Sequence, residues 1–491
     1  MQIEIQDGMF TAVDRSGPSR LVIDGGEVDL PTDVVFLPGF VDTHCHLMGA
    51  GEMAERVDLH GAGSAAECAR RMADAAGRLP SGRWILGFGW NQEEWNDPAP
   101  LDRTILDAHL HDHPAALYRI DTHAVAINTR AMEAAGIVSG EIEGGRIESD
   151  AAGEPTGMLI DSAIRILERA WPAVTDADRE RWIELGAAEA RRHGLTAVHD
   201  MNVEPERLPA MIAVAERGGL GLRVHLFLKG ESGAWREIER PGQIADGVTI
   251  DGVKFFADGA LGSRGALLIE PYSDAPDVSG IELMSPAELV DAAVPAIERG
   301  FAIATHAIGD RAVRNVIVAY EELRERYPDA LLRMEHAQIV HSEDLVRMAR
   351  AGIIAAVQPT HCISDASMAI RRLGSERARD AYRWRSLIDA GVTIIAGSDF
   401  PVESPSALDG LRAFVDRDPG DGPWYPHERI TPEEAVDAFT SAALTGVTFP
   451  RRTGRIHPGF AADLTILSGD PFSPRTTVIA TLLAGTLFRS T

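Results

Sequence analysis

The sequence predicts an α/β protein whose main part is a parallel (β/α)8 barrel. Short apolar runs recur eight times along the chain, and segments with helical periodicity follow them. Strands that alternate with helices are typical of parallel sheets, and eight such units are enough to close a barrel. The 491 residues also leave room for accessory elements around it.

Each predicted barrel strand is a short run of mainly apolar residues. In chain order the eight runs are residues 40–43, 195–199, 222–228, 253–257, 301–305, 332–335, 353–357 and 393–396. The helices between them carry recognisable end signals. Ser285 and Glu288 fit a capping box and Gly300 fits a C-terminal cap, and residues 341–352 and 431–446 repeat this design.

Two features go beyond a minimal barrel. About 150 residues separate the first predicted strand from the second, so we expect an insertion at about 60–190. Both chain ends are rich in strand-like sequence, and residues 1–37 and 452–491 are expected to pair into one small β-sandwich. The barrel domain is then predicted to span residues 38–451.

The composition excludes several classes of function. A formal net charge of −27 argues against binding to nucleic acid, since nothing here would replace the counterions of a phosphate backbone. No apolar run approaches the roughly 18 residues of a membrane span, so no membrane partner is expected. Three cysteines form no disulfide framework, and the N-terminus lacks signal-peptide features. We predict a cytoplasmic protein that takes a small-molecule substrate, with a homodimer as the assembly to consider.

The segment FLPGFVDTHCHLMGAG (residues 36–51) places two histidines at the end of an apolar strand. Alternate side chains of a strand share a face, so His44 and His46 point one way and Cys45 the other. Two converging imidazoles suit a divalent metal, whereas Cys45 fits a packing role. Two surface histidines at a strand end are the alternative, and the spacing alone does not decide between them.

Other strand ends favour a metal centre. Lys254 lies in the fourth predicted strand, His306 ends the fifth, His336 ends the sixth and Asp399 ends the eighth. In (β/α)8 enzymes the functional groups sit at the carboxyl ends of the strands. Together with the two histidines of the first strand, these residues predict a site for one or two divalent metal ions, with zinc as the expected metal.

Several motifs resemble a known family. PGFVDTHCHL near the start, GSDFP late in the chain and the closing GRIHPGFAADLTIL are similar to the amidohydrolase superfamily. KFFADGALGSR, THAIGDRA, EHAQ, VQPTH and GSDFPVE together look like its YtcJ-like branch, which includes N-substituted formamide deformylases. The resemblance covers nearly the whole chain. It implies a metallo-dependent (β/α)8 barrel, a flanking β-sandwich and hydrolytic activity.

The resemblance also assigns roles to the predicted ligands. His44 and His46 would bind the more buried metal, and His306 and His336 the more exposed one. Asp399 would complete the buried site and contact the attacking water.

The role that the resemblance implies for Lys254 is to bridge two metals as a carbamate. An unmodified lysine is a protonated cation near neutral pH and repels metal, whereas reaction with CO2 would turn it into an anionic oxygen ligand. The alternative is that Lys254 pairs with Asp258 or another carboxylate beside a single metal.

The expected reaction is hydrolysis of a non-peptide C–N bond in an amide, a formamide or a cyclic amide. A metal-bound hydroxide would attack the carbonyl, with Asp399 as general base and then general acid. One alternative is a deaminase with a single metal that acts on an amine-bearing heterocycle, which Lys254 disfavours. Another is a scaffold barrel without catalysis, which the full set of ligands disfavours. No residue specifies the acyl group or the amine.

Five further residues are candidates for substrate binding. Trp90 in GFGWNQEEW could wall the pocket or belong to the core. His123 in DTHAVAIN could hold a substrate oxygen or be a buried, hydrogen-bonded histidine. Arg264 could bind a substrate carboxylate or acyl oxygen, or form a loop salt bridge. Gln358 and His361 in VQPTH close the seventh predicted strand and are expected to line the site.

Overall fold

The computed structural model describes residues 1–77, 79–92, 95, 101–120, 123–138, 141–142, 145–171, 173–420, 422–448 and 452–490. The chain divides into two compact units. The first comprises Met1–Gly51 and Arg179–Thr491, and the second comprises Glu52–Asp178. Each unit has its own sheets and its own apolar core.

The first unit contains a parallel barrel of eight strands. In chain order we number them β1 (Phe40–Cys45), β2 (Leu195–Val203), β3 (Arg223–Lys229), β4 (Val248–Phe256), β5 (Ala302–Ala307), β6 (Leu332–His336), β7 (Ile354–Val357) and β8 (Thr393–Ala396). Each strand pairs with the next along the chain. The backbone N–H of Asp399 donates to the carbonyl of His44, and that of His46 to the carbonyl of Phe400, both over 2.7 Å. These bonds join the two ends of the sheet, and the predicted fold class is confirmed.

Helices follow most of the barrel strands, and the predicted N-terminal capping boxes are present, but two helices end before the predicted glycines. One ends at Ile297 with Glu298 as its C-cap rather than Gly300, and the helix that begins at Pro432 ends at Ala438, well before Gly446. The described α-helices that lie wholly or partly in the first unit are Leu47–Glu55, Asp176–Arg192, Leu208–Glu216, Pro286–Ile297, Asp310–Arg326, Ser342–Arg350, Pro359–Ser364, Ala366–Arg377, Trp384–Asp389, Ala407–Asp416 and Pro432–Ala438. Ser285 and Glu288 form a capping box, and Thr431 and Glu434 form a second one. Each box satisfies N–H groups that the first turn of a helix leaves unpaired.

Two small sheets built from both chain ends form the sandwich. One contains Gln2–Gln6, Met9–Asp14, Arg20–Ile23 and Gly26–Glu27, and the other contains Val35–Pro38, Leu464–Leu467, Val478–Leu483 and Thr486–Arg489. Residues from both sheets bury their side chains in one apolar cluster, with Ile3, Phe36 and Ile466 among its fully buried members. The alternation of buried and exposed side chains along Gln2–Gln6 is typical of a strand with one face on a core.

The second unit holds a sheet of seven strands, which are Val57–Asp58, Ile85–Trp90, Ala115–Arg119, Ala124–Ile127, Glu141–Ile142, Gly145–Ser149 and Pro155–Asp161. Its described helices are Ala65–Ala76, Arg103–His109, Thr129–Ala135 and Ile164–Glu168. The unit begins and ends some residues before the insertion bounds of about 60–190 drawn from the sequence. The helix Asp176–Arg192 accounts for the later bound, because most of its residues belong to the first unit.

The core of the first unit lies between the barrel strands and their helices. Cys45 is buried in this apolar cluster, in the packing role expected from the sequence. Among the residues described, no helix combines the length and the apolar character that crossing a bilayer requires.

Candidate metal centre

All six predicted ligands line one cavity at the carboxyl ends of the barrel strands. They are His44, His46, Lys254, His306, His336 and Asp399, and the cavity has a volume of about 430 Å³. Side chains at this rim converge because parallel strands end at the same face of a barrel. The backbone hydrogen bond between Asp399 and His44 places the last ligand beside the first.

The donor atoms of these residues come close to one another. His44, His336 and Asp399 each offer a ligand atom, and these atoms lie within 4.8 Å of one another. Nε2 of His46 lies 3.2 Å from Oδ1 of Asp399, and Nε2 of His44 lies 3.6 Å from the same oxygen. The ring centroids of His306 and His336 are 4.5 Å apart. Four imidazoles and a carboxylate therefore surround one small space.

Hydrogen bonds fix the orientation of three of the imidazoles. Each Nδ1 atom lies next to an acceptor: His44 beside Oε2 of Glu335 at 2.6 Å, His46 beside the carbonyl oxygen of Met201 at 3.0 Å, and His336 beside Oε1 of Gln358 at 2.7 Å. These oxygens only accept, so each Nδ1 carries the proton. Nε2 then keeps its lone pair, which is the form of histidine that binds metal.

Two buried nitrogen atoms of the cluster have no hydrogen-bond partner among the described residues. They are Nζ of Lys254 and Nε2 of His306, in residues that are 1% and 8% exposed. A buried polar group without a partner costs roughly 1–3 kcal/mol, and folded proteins rarely leave one. Nε2 of His306 lies 3.5 Å from Oδ1 of Asp258 without forming a hydrogen bond to it, so a metal ion would supply the partner that this nitrogen lacks. The residues of the cluster fit a divalent metal.

Burial sets the charges of the cluster. Burial and the positive charge of Lys254 lower the pKa of His44 to about 4 and that of His306 to about 3. Burial opposes the charge on Asp399, but His44 and His46 hold the pKa of its carboxyl well below the usual range. Burial also lowers the pKa of Lys254 to about 8. Burial lowers the pKa of His46, but its contact with Asp399 outweighs burial and raises that pKa. Neutral His44 and His306 and an ionised Asp399 are the protonation states that metal binding requires.

Asp258 holds the loop after β4 and does not hydrogen-bond Lys254. Its carboxylate accepts hydrogen bonds of 2.8–3.0 Å from the backbone N–H groups of Leu267, Ile308 and Gly309. Burial raises the pKa of Asp258 to about 7. Within the described part of the chain Nζ of Lys254 has no hydrogen bond, so the pairing with Asp258 that the sequence left open is not formed.

The three candidates for substrate binding in the first unit differ in their surroundings. His361 lines the cavity. Gln358 is buried and contacts His336, so its amide supports a predicted ligand. Arg264 forms the loop salt bridge, with Nε and one terminal nitrogen 3.1 and 3.0 Å from the carboxylate of Asp274. Direct contact between these residues and a substrate stays a prediction.

Trp90 and His123 belong to the second unit. Trp90 is buried in that unit's core, and its indole N–H donates to the carbonyl of Leu117 over 2.8 Å. His123 is exposed, with Nδ1 2.8 Å from Oδ1 of Asp161. Residues 121–122 of its motif lie outside the described residues. The predicted substrate contacts of Trp90 and His123 remain predictions.

The sequence analysis overlooked two charged residues beside the cluster. Arg333 and Glu335 lie in β6, both are 0% exposed, and Glu335 contacts His44. The sequence contained a feature from which the two residues could have been predicted. Strands of a parallel barrel are buried on both faces, so two opposite charges two positions apart in LRMEH must share a face and find partners inside.

Comparison with solved structures gives the class of protein. The crystal structure of an uncharacterised metal-dependent hydrolase from Pyrococcus furiosus is 29% identical in sequence. The match has a TM-score of 0.76 and covers 92% of this chain and 90% of that chain. The likeness extends over nearly the whole chain, so the architecture is that of a metal-dependent hydrolase.

Comparison of sequences gives the family. The model of the amidohydrolase family, Amidohydro_3, matches residues 27–488. The chain is 34% identical to the putative amidohydrolase YtcJ of Bacillus subtilis (strain 168) over 461 residues, which are 91% of this chain and 86% of the relative. It is 27% identical to an N-substituted formamide deformylase of Arthrobacter pascens over 454 residues, 89% of this chain and 83% of that protein. The chain belongs to the amidohydrolase family, and the resemblance drawn from its motifs is confirmed.

Proposed function

We propose that this protein hydrolyses a non-peptide C–N bond in an amide, a formamide or a cyclic amide. The observation that carries the proposal is the approach of His44, His336 and Asp399, whose ligand atoms lie within 4.8 Å of one another beside the cavity. Membership of the amidohydrolase family supports hydrolysis. The relative that is named as a formamide deformylase supports the choice of bond.

The six residues of the cluster would hold two divalent ions, with zinc as the expected metal. His44, His46 and Asp399 would take one ion, His306 and His336 the other, and Lys254 would lie between them as a carbamate. When bound, such ions lower the pKa of a coordinated water and polarise the scissile carbonyl.

Lys254 would become an anionic ligand by reaction with CO2. The neutral amine attacks the carbon of CO2, an N–C bond forms as one C–O π bond opens onto oxygen, and the nitrogen gives up one proton to water, so that the product carries a negative charge on oxygen. Burial supports this step because it favours the neutral amine. The absence of any hydrogen-bond partner at Nζ within the described chain also supports it.

Asp399 would act first as a base and then as an acid. Its carboxylate takes a proton from the attacking water while the water oxygen bonds to the carbonyl carbon. The same proton then passes from Asp399 to the nitrogen as the C–N bond breaks, which gives an acid and an amine. Oδ1 of Asp399 lies 3.2 Å from Nε2 of His46, and the low pKa of its carboxyl leaves the carboxylate ionised and able to accept that proton.

The first test is the metal content of the purified protein and of the Lys254→Ala variant, measured by elemental analysis. We expect about two equivalents in the wild type and a sharp fall in the variant. Lys229→Ala is the matched control, because Lys229 pairs in register with Lys254 on the neighbouring strand and contacts Glu204 at 3.2 Å. One equivalent that does not change in Lys254→Ala would contradict the carbamate.

The second test follows the reaction. Wild-type protein loaded with zinc is incubated with a panel of amides, formamides and cyclic amides, and release of both acid and amine is measured. Release of ammonia from amine-bearing heterocycles without an acid product would instead favour a deaminase.

NMR spectroscopy after growth and storage in ¹³C-bicarbonate checks the carbamate. Its ¹³C resonance should be present in the wild type and absent from Lys254→Ala.

A further inference from the structure

Arg333 and Glu335 form a closed ion pair inside the barrel. Both side chains are 0% exposed, and both project from β6 on the same side because they are two positions apart. Nε of Arg333 lies 2.6 Å from Oε1 of Glu335, and a terminal nitrogen lies 3.1 Å from Oε2. The pair has the two-pronged geometry that makes arginine–carboxylate contacts strong and directional.

We propose that Glu335, held by Arg333, is a positioning residue that orients His44 and thereby sets the affinity of the centre for metal. The inference rests on the proposed function, since it requires that His44 is a ligand. Oε2 of Glu335 lies 2.6 Å from Nδ1 of His44 and accepts a hydrogen bond from the N–H group there. The opposite nitrogen, Nε2, then faces the carboxylate of Asp399 at 3.6 Å with its lone pair free.

Arg333 holds His44 from a second direction. One terminal nitrogen donates to the backbone carbonyl of Thr43 over 2.7 Å, which is the peptide group next to His44. The other terminal nitrogen donates to the carbonyl of Gly446 over 3.0 Å and lies 3.0 Å from Nδ1 of His199. Since each of the three guanidinium nitrogens has a partner, the ion pair cannot move without breaking several hydrogen bonds. The ring and the backbone of His44 are thus fixed by one pair of residues.

A purely structural ion pair would leave metal affinity unchanged. The barrel contains a built-in comparison, because His225 and Asp251 form the same kind of contact. Nδ1 of His225 lies 3.0 Å from Oδ2 of Asp251, and both side chains are buried. His225 does not line the cavity of the candidate centre. The Asp251→Asn variant therefore measures how much stability the barrel loses when a carboxylate–imidazole contact is broken at a histidine that is not a predicted ligand.

The experiment compares Glu335→Gln with Asp251→Asn in the full-length protein. Each protein is freed of metal, and its affinity for Zn²⁺ is measured by competition with a chromogenic chelator. We expect Glu335→Gln to weaken zinc binding by about 10- to 100-fold, because one of the two carboxylate oxygens becomes an NH2 group, which cannot accept from Arg333 or from His44 and so breaks one of the two contacts. Asp251→Asn should bind zinc within about twofold of the wild type, although it lowers the thermal midpoint of the metal-free protein.

A second variant covers the case in which Glu335→Gln does not fold. Glu335→Asp keeps the charge that balances Arg333 but draws the carboxylate back from His44, so it should also weaken zinc binding. Equal zinc affinities in the wild type and in the Glu335 variants would overturn the positioning role while leaving the proposed function intact. Equal losses in Glu335→Gln and Asp251→Asn would also overturn it. A wild-type protein that binds no zinc at all would overturn both the inference and the proposed function.

Discussion

The side-chain oxygen of Gln358 lies 2.7 Å from Nδ1 of His336. His336 ends β6 and Gln358 directly follows β7, so the contact joins the ends of two neighbouring strands. The amide nitrogen of Gln358 donates to the carbonyl of Ala356 over 3.2 Å, which keeps the oxygen turned towards the imidazole. A neutral acceptor thus holds this ring, whereas a carboxylate holds that of His44.

Replacing this acceptor should affect one metal more than the other. In Gln358→Leu, Nδ1 of His336 loses its partner, and we expect the zinc content after dialysis to fall from about two equivalents to about one. Elemental analysis of the dialysed protein measures this. Gln338→Leu is the matched control, because Gln338 is also buried and lines the same cavity, but its amide nitrogen donates to Asp365 over 3.3 Å. Two equivalents retained by Gln358→Leu would contradict the role of His336 as a ligand.

The barrel strands could be predicted from the sequence because their apolar runs are unmistakable, but two of them extend at least four residues beyond those runs. β2 continues from His199 to Val203 through Asp200 and Asn202, and β4 begins at Val248, before Asp251. Polar residues usually indicate a loop. Here Asp200 accepts a hydrogen bond from the N–H of Leu47, and Asp251 contacts His225, so their polar atoms are satisfied inside the fold.

The residues at the candidate centre were predicted because each stands in an apolar run or at its end, which is a local feature of the chain. Their support was not predicted, because it depends on contacts between distant segments. Glu335 and His44 are separated by 291 positions, and no local sequence feature of either residue predicts their contact. The same holds for Arg264, because only the folded loop shows that its guanidinium forms an ion pair with Asp274.

The ion pair between Arg223 and Asp463 should contribute strongly to stability. The carboxylate of Asp463 lies 2.8 and 3.0 Å from two guanidinium nitrogens of Arg223, both side chains are buried, and Asp463 also accepts the N–H of Ala484. Asp463→Asn leaves a buried guanidinium without its counter-charge. We expect the free energy of unfolding to fall by about 3 kcal/mol. Equilibrium unfolding in guanidinium chloride measures this change.

The exposed ion pair between Arg20 and Glu27 provides the control for this measurement. Its side chains are largely open to solvent, so Glu27→Gln should leave the unfolding midpoint close to that of the wild type. If Asp463→Asn were as stable as Glu27→Gln, the buried pair would have no special role in holding the sandwich strand that follows Asp463 against β3.

The charges around the cavity predict which substrates the protein prefers. Asp365 and Glu403 line the cavity, and among its described lining residues the only lysine or arginine is Lys254. Arg264, the candidate for binding a substrate carboxylate, is paired with Asp274. We therefore expect formamides with neutral or ammonium-bearing amine groups to be hydrolysed with a higher kcat/KM than those that carry a carboxylate, by about tenfold.

Glu403→Gln tests this preference directly. The variant should lose about fivefold in kcat/KM for an ammonium-bearing formamide relative to a neutral one of the same size, which is the effect of one partly exposed ion pair. Glu376→Gln is the control, because Glu376 is exposed, contacts Arg379 and lies outside the cavity lining. An unchanged ratio in Glu403→Gln would show that Glu403 does not face the amine. A wild-type preference for carboxylate-bearing formamides would require a cation that reaches the substrate from elsewhere in the chain.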